Sequence, residues 1–215
     1  TYYPLFQHGL KLKFLDIDLE TLNMKLSEIE QAITCKTKAI FAVNLLGNPN
    51  DFKTLKKLCV KHNLLLIEDN CEALGAKYDN KFCGTFGVLA TFSSFFSHHI
   101  CTMEGGIVVT EDEELYHYML SIRAHGWTRN LPKSSKLYSK SENDFYESFN
   151  FIIPGYNLRP LELEAAIGIE QIKKIDNIIK TRRMNAEIFT ELFANHSDVL
   201  IQKEVGESSW FGFSF

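Results

Sequence analysis

The stretch LLLIEDNCEALGA, residues 64–76, decides the fold class. Its first four residues are apolar, which is typical of a strand buried on both faces of a parallel sheet covered by helices. Two acids, Glu68 and Asp69, close this strand. Because parallel sheets hold their ligands at the carboxyl ends of the strands, an acid here indicates either a ligand contact or a cap for the next element. The stretch alone leaves both interpretations open.

Apolar runs alternate with amphipathic segments on the N-terminal side of this strand. The pattern predicts strands at 11–18 and 38–47 and helices at 23–33 and 50–63, with Asn50 as the candidate N-cap of the second helix. Strand and helix in alternation predict an α/β fold, in which a mostly parallel sheet is flanked by helices and joined by right-handed crossovers.

The same alternation continues on the C-terminal side. A strand is predicted at 88–96, and a second strand follows the glycine pair that begins at Gly105. A helix is predicted to begin near Thr110 and to end near Gly126, and residues 161–196 show a long helical periodicity. No internal repeat interrupts the chain.

Composition and charge are those of an ordinary globular protein. The 215 residues, of which 45% are hydrophobic, can bury one sizeable core and part of a second one. A formal net charge of -4, with lysines and arginines dispersed among acids, argues against a nucleic-acid partner.

Cysteine usage indicates a reducing compartment. The five cysteines have no CxxC spacing, and no signal-peptide pattern is present, so free thiols in the cytoplasm are expected. Residues 83–103 carry no formal charge, but they include Ser, Thr, His and Gly residues. A buried strand, a loop and a turn explain this segment better than a membrane span does, and no membrane partner is expected.

Two adjacent histidines, His98 and His99, stand in the sequence FFSHHICTMEGG, residues 95–106. They could serve packing, metal binding or catalysis. Neighbouring residues of an extended segment point to opposite sides, and the spacing to Cys101 and Glu104 matches no zinc pattern, so a metal site is disfavoured. The pattern favours one histidine in the site and packing for the other, His99.

Seven motifs follow one another in a fixed order along nearly the whole chain. They are GNP (47–49), IEDNCEALGA (67–76), GTFG (84–87), TFSSFFSHH (91–99), EGGIVVT (104–110), RAHG (123–126) and GYNLRPLELEAAIG (155–168). In this order they resemble the DegT/DnrJ/EryC1/StrS family of nucleotide-sugar aminotransferases, a branch of the fold type I pyridoxal phosphate enzymes. Because the family has a phosphate loop upstream of these motifs and a small domain after them, the resemblance implies an internal fragment. It implies a large cofactor-binding α/β domain at residues 1–175 and the start of a small C-terminal domain at residues 176–215.

The resemblance also implies a set of site residues. Asp69 matches the aspartate that pairs with the pyridinium nitrogen of the cofactor, and Ser93 matches a serine that holds the cofactor phosphate. Asn157 matches an asparagine that reaches the phosphate site of the neighbouring subunit, which implies a homodimer. Glu72 stands where relatives carry a residue beside the cofactor ring. His125 matches a family histidine and is a candidate substrate contact, although a charge at a helix C-terminus is an equal explanation.

His98 occupies the place where the family has the lysine that binds the cofactor covalently. Imidazole cannot form that bond, but its unperturbed pKa of about 6.5 suits a general base. A histidine in place of this lysine resembles the sugar 3-dehydratases of the family, which use pyridoxal 5′-phosphate and pyridoxamine 5′-phosphate. The resemblance implies GDP-4-keto-6-deoxymannose as the substrate, removal of its C3 hydroxyl for deoxysugar and O-antigen biosynthesis, and L-glutamate as the amino donor.

The cysteines favour the GDP-sugar type over the second dehydratase type of the family. That second type acts on a CDP-sugar and holds a 2Fe–2S cluster through cysteines C-terminal to the base, and no cysteine follows Cys101. Two further alternatives stay open. Another lysine, such as Lys81, could restore sugar transamination, or the chain could be a non-catalytic protein that keeps the cofactor fold.

Overall fold

The computed structural model describes residues 1–214 and shows an α/β architecture. The strands are β1 (Ala39–Val43), β2 (Leu65–Asp69), β3 (Lys77–Tyr78), β4 (Lys81–Phe82), β5 (Leu89–Ser93) and β6 (Gly106–Val109). The helices are α1 (Tyr3–Gln7), α2 (Leu26–Ala32), α3 (Phe52–His62), α4 (Glu113–Ile122), α5 (Asp144–Glu147), α6 (Glu162–Ile172) and α7 (Ile175–Phe193), with a short 3-10 turn at Leu45–Gly47.

The main sheet has four strands in the order β1-β2-β5-β6. The first three are parallel, and β6 runs antiparallel to β5. The mostly parallel sheet predicted from the sequence is therefore confirmed. Its core lies where α2 and α3 cover β1 and β2, and it includes Ile29, Ile40 and Leu55. In this core the Phe52 ring stacks on Phe86 with the ring centroids 4.3 Å apart.

The strand predicted at 11–18 is wrong. Within it only Ile17 forms a bridge, an isolated antiparallel one to Met24. At the end of this stretch the side chain of Asp18 favours a turn, because its Oδ1 accepts hydrogen bonds from the backbone N–H groups of Glu20 and Thr21. Such local bonds stabilise a turn at the expense of a strand ladder.

The N-cap predicted for α3 is also wrong. Asp51, not Asn50, caps the helix, since its Oδ1 accepts the Thr54 N–H at 3.0 Å. The Asn50 side chain instead donates to the Val43 carbonyl at 2.7 Å and fastens the helix start to the end of β1. Two adjacent residues of capping type are indistinguishable in a sequence, and the strand contact selects between them.

Helix boundaries differ elsewhere in the same way. The helix expected to begin near Thr110 begins after Asp112, whose Oδ1 accepts two backbone N–H groups of its first turn. The long periodicity over 161–196 belongs to two helices, α6 and α7, because the chain leaves the helical hydrogen-bond pattern at Lys173 and Lys174. None of the helices in residues 1–214 has both the length and the apolar run that a membrane span requires.

The hairpin β3–β4 was not predicted. Asp79 and Asn80 form its two-residue turn with φ values of 49° and 60°. Both residue types tolerate this left-handed region, which a tight hairpin of type I′ requires at both central positions. The dipeptide Asp-Asn indicates a tight turn, but strands of two residues are too short to show the alternation of apolar and polar residues that identifies a strand.

Residues 199–214 return after α7 to the turn that follows β1 and to the β3–β4 hairpin. The N–H of Ser209 donates to the Gly47 carbonyl at 3.1 Å, and the N–H of Phe211 donates to the Leu46 carbonyl at 2.8 Å. Glu207 forms an antiparallel bridge with Lys77. The domain boundary at residue 175 stays a prediction, and the segment that follows α7 lies directly on the larger unit.

Candidate functional site

Asp69 and Ser93 lie at the same edge of the main sheet. Asp69 ends β2 and pairs with Thr91 of the neighbouring strand β5. Ser93, the last residue of β5, is two residues further on, about 7 Å along the strand. The parallel sheet therefore brings together, at its carboxyl edge, two of the side chains predicted to bind the cofactor.

The two acids at the end of β2 have different tasks. Glu68 is fully buried, and its two carboxylate oxygens accept the backbone N–H groups of Gly84, Phe86 and Gly87 at 2.6–2.7 Å. It fixes the turn that leads into β5. Asp69 points away from Glu68 because successive strand residues face opposite sides. A structural role therefore fits Glu68. Of the two acids, Asp69 remains the candidate for a ligand contact.

The Asp69 carboxyl group is buried but well supplied with hydrogen bonds. Its Oδ1 accepts the Cys71 N–H at 3.0 Å, and its Oδ2 accepts the hydroxyl of Thr1. Burial raises the pKa of Asp69, whereas the hydrogen bonds from Cys71 and Thr1 lower it, and the net pKa lies below its ordinary value. The side chain is therefore a carboxylate at neutral pH, which suits contact with a cation.

His98 is carried by a closed loop, residues 94–105, between β5 and β6. Ser94 and Gly105 join the two ends, since the Ser94 N–H donates to the Gly105 carbonyl at 3.1 Å. The Thr102 hydroxyl donates to Ser94 Oγ at 2.7 Å inside the loop. Gly105 has φ 144°, and a Cβ there would lie 2.5 Å from Ser94 Oγ, so only glycine permits this closure.

The imidazole of His98 is held between aromatic rings. Its centroid lies 5.1 Å from that of Phe211 and 5.9 Å from that of Phe95. Its Nδ1 is buried and has no hydrogen-bond partner in residues 1–214. A nitrogen enclosed in this way cannot exchange protons with a substrate, so Nε2 is the atom that can act as a base.

His99 packs into the protein, as the sequence predicted. It is 3% exposed, and its Nε2 lies 3.2 Å from the Ser209 carbonyl oxygen. Since a carbonyl only accepts, this contact assigns the proton to Nε2. Burial lowers the pKa of His99 to about 4, so the ring is neutral at pH 7.

Stability should therefore depend on His99 at acidic pH. Unfolding exposes an imidazole that binds a proton near pH 6.5, whereas the folded protein resists protonation down to about pH 4. Stability is thus lost as pH falls through this window, by up to about 3 kcal/mol. Urea unfolding at pH 7 and pH 4.5 should show a smaller loss for His99→Gln, while the exposed control His196→Gln should match the unchanged protein. Equal losses in all three proteins would contradict the burial argument.

Glu72 supports a strained turn beside the sheet edge. Its Oε2 accepts the N–H of Leu46 at 2.8 Å, and Leu46 has a left-handed φ of 55°. This bond stabilises a conformation that a branched residue rarely adopts. The predicted contact of Glu72 with the cofactor ring stays a prediction, and the Leu46 bond shows what holds the carboxylate in place.

His125 and Asn157 lie together in a separate part of the fold. Asn157 forms an antiparallel bridge with Ala124, and the His125 N–H donates to the Tyr156 carbonyl at 2.8 Å. Both side chains are exposed, and His125 has φ 64°. In residues 1–214 no hydrogen bond joins this pair to Asp69 or His98, and their predicted roles stay predictions.

Two clefts of the described residues lie elsewhere. One, of about 690 Å³, lies between Arg129 and Ser148, and the other, of about 450 Å³, lies between α7 and the β3–β4 hairpin. Neither is lined by Asp69, Ser93 or His98. The candidate site is therefore identified by the chemistry of its side chains at the sheet edge and not by the size of a cavity.

Phe211 and Ser209 were not predicted as neighbours of the site. They come from the segment SSWFGFSF, more than 100 positions after the histidine pair. An aromatic cluster usually indicates core packing, and the local sequence does not identify the residues that this cluster contacts in the fold. The contact between this segment and the two histidines follows only from the folded structure.

Curated proteins include relatives similar to the whole of this chain. It is 58% identical over 216 residues to the GDP-4-keto-6-deoxy-D-mannose 3-dehydratase of Escherichia coli O55:H7, covering 100% of this chain and 56% of that protein. It is 59% identical over 215 residues to the enzyme of the same name from Yersinia pseudotuberculosis, covering 100% of this chain and 55% of that protein. The chain thus spans about half the length of these relatives.

Solved structures of GDP-4-keto-6-deoxymannose-3-dehydratase superpose on the chain with a TM-score of 0.96 at 57% identity, covering 99% of this chain and 55% of theirs. One is a histidine-to-asparagine variant with bound GDP-perosamine, one is the E. coli enzyme with hydrated PLP, and one holds a trapped PLP–glutamate geminal diamine. These matches confirm the predicted fold class. The model of the DegT/DnrJ/EryC1/StrS aminotransferase family matches residues 1–215. The chain belongs to this family.

Proposed function

We propose that the complete protein removes the C3 hydroxyl group from GDP-4-keto-6-deoxymannose in a reaction that depends on pyridoxal or pyridoxamine 5′-phosphate. The observation that carries the proposal is His98, an imidazole in the motif position of the family's lysine, on a loop between the strand that ends at Ser93 and β6. The names of the similar dehydratases and their complexes with PLP and GDP-perosamine support the same reaction.

The side chains at the sheet edge fit this cofactor. The Asp69 carboxylate, kept charged by its hydrogen bonds, provides the negative charge that a pyridinium nitrogen requires. Ser93 Oγ accepts the Phe95 N–H at 3.2 Å, which leaves its hydroxyl hydrogen available to a phosphate. We assign Asp69 and Ser93 to the cofactor, with Glu72 as a further ring contact. When bound, the cofactor supplies an amine for the sugar ketone and a ring that accepts electrons.

The protein's own task in the reaction is proton movement and positioning. We assign proton transfer to Nε2 of His98, because Nδ1 is buried without a partner. The rings of Phe95 and Phe211 limit the directions that this imidazole can take. A histidine accepts and returns protons near neutral pH without holding the cofactor covalently, which is the property that separates a dehydratase from a lysine-dependent transaminase.

The lysine alternative is not supported by the fold. Lys81 lies in β4 of the small hairpin, is exposed, and pairs with Tyr78. The hairpin forms a sheet of its own and is separate from the strand ends that carry Asp69 and Ser93. A lysine that restores transamination would have to lie at that edge, and Lys81 does not.

The partners follow from the same proposal. L-glutamate serves as the amino donor that restores the amine form of the cofactor, in agreement with the glutamate adduct in a similar enzyme. The protein acts as a homodimer in which the exposed Asn157 reaches the phosphate site of the second subunit. It works in the cytoplasm, in keeping with its five free cysteines.

Two measurements on the full-length protein test the proposal. Borohydride treatment in the presence of pyridoxal phosphate should leave no lysine-linked cofactor, because His98 cannot form that bond, whereas His98→Lys should acquire one. With glutamate and GDP-4-keto-6-deoxymannose the protein should release ammonia and a 3-deoxy sugar. Stable transfer of the amino group to the sugar would indicate an aminotransferase, and no spectral change with the cofactor would indicate a non-catalytic protein.

A further inference from the structure

The segment Ser208–Phe211 crosses from α7 to the loop that carries His98. Its passage requires close contact with the turn after β1, where a Cβ on Gly47 would lie 2.7 Å from the backbone nitrogen of Trp210. Trp210 itself has φ 47°, a conformation that is unfavourable for a bulky residue. Such a conformation persists only where surrounding contacts determine it. The direction of the next residue, Phe211, is therefore set by the fold.

Three contacts hold Trp210 in this conformation. Its N–H donates to Ser208 Oγ at 3.0 Å, and its indole Nε1 donates to Glu204 Oε1 at 3.2 Å. From α7, the guanidinium of Arg182 donates to the carbonyls of Trp210 and Phe211 at 3.1 and 2.9 Å. Arg182 Cζ also lies 5.8 Å from the Phe211 ring centroid. A planar guanidinium with several N–H donors is suited to hydrogen-bonding two neighbouring carbonyls at once.

The Phe211 ring fixed in this way packs against both histidines. Its centroid is 5.1 Å from that of His98 and 5.7 Å from that of His99. His99 is bonded to the Ser209 carbonyl and so fastens the same segment from the other side. Being neutral, His99 adds no positive charge next to His98. Phe211 thus gives the His98 imidazole an apolar neighbour, while the buried Nδ1 of that imidazole has no hydrogen-bond partner in residues 1–214.

We propose that Phe211 is a positioning residue for His98, and that Arg182 and His99 hold Phe211 in place for that task. The proposal rests on the proposed function only for its consequence in catalysis. The contact itself belongs to the free protein. Since Nδ1 of His98 has no partner, ring packing is what orients Nε2, and a loose imidazole would lose much of its proton-transfer rate.

The test compares Phe211→Leu with Phe213→Leu in the full-length protein. Phe213 lies in the same segment but stacks on Phe189 and has its other ring contact with Trp210, so its replacement removes a ring of equal size that makes no ring contact with His98. In the free protein, carbethoxylation of His98 by diethyl pyrocarbonate, followed by peptide mass spectrometry, should be several-fold faster in Phe211→Leu than in Phe213→Leu. In turnover, kcat of Phe211→Leu should fall on the order of 10- to 100-fold with KM nearly unchanged.

The two readouts separate the two claims. If wild-type protein does not turn over the sugar but His98 is selectively unmasked in Phe211→Leu, the proposed function fails and the positioning contact stands. Unchanged His98 modification in Phe211→Leu would overturn the positioning role whatever the turnover. An equal fall of kcat in both variants would overturn it too, since that result indicates general damage to the segment. Phe211→Tyr keeps the ring and should retain wild-type values in both assays.

Discussion

Replacement of His98 by asparagine is expected to stop removal of the C3 hydroxyl while cofactor binding stays nearly unchanged. An amide has no titratable nitrogen, so the variant lacks the group to which we assign proton transfer. General acid–base catalysis contributes roughly 10²- to 10⁴-fold to a rate, and the fall in kcat should lie in this range or above it. Ammonia release from GDP-4-keto-6-deoxymannose measures the reaction, and an absorbance titration measures the cofactor dissociation constant.

The variant is expected to fold normally. Nδ1 of the His98 imidazole has no partner in residues 1–214, so asparagine breaks no hydrogen bond of that nitrogen. His196→Asn is the matched control, because it makes the same exchange on an exposed residue beyond the end of α7. It should turn over the sugar at the wild-type rate. Undiminished turnover in His98→Asn, with the control intact, would remove His98 as the base.

The fold could be predicted in outline because buried parallel strands have a strong signature. The apolar run before Glu68 gave β2, and the alternation around it gave the sheet class. Boundaries failed where polar side chains compete for the same backbone groups, as at Asp18 and at the pair Asn50–Asp51. A sequence shows that such residues can cap or turn, but long-range contacts decide which of them does.

The candidate site was predicted in part. Asp69 follows from a strand end and from the family motifs, and Ser93 follows from the family motifs alone. The sheet brings both residues to one edge. The structure adds what distinguishes the two acids and the two histidines, namely the backbone bonds of Glu68 and the burial of His99. Phe211 could not be predicted, since its contact with His98 joins segments that are far apart in sequence and are brought together by the return of the chain after α7.

Replacement of Asp69 by asparagine should have the second large effect. The carboxylate is kept charged because hydrogen bonds from Cys71 and Thr1 outweigh the burial that raises its pKa. A neutral amide cannot keep a pyridine nitrogen protonated, so the ring would accept electrons poorly. Loss of such a fixed charge at a reacting group costs on the order of 10²- to 10³-fold in kcat. The cofactor should also bind more weakly, unlike in His98→Asn.

His98→Asn and Asp69→Asn together test whether the general base and the negative charge at the cofactor ring belong to different residues. Asp79→Asn is the control for Asp69→Asn, because it makes the same exchange at the exposed turn of the β3–β4 hairpin, where asparagine tolerates the left-handed φ of 49°. Turnover with saturating cofactor and the cofactor absorbance spectrum are measured for both. If Asp69→Asn kept the wild-type spectrum and kcat, the carboxylate would not face the ring nitrogen. The ionised state of Asp69 would then serve only the hydrogen bonds to Cys71 and Thr1, and the cofactor would have to be held from another edge of the sheet.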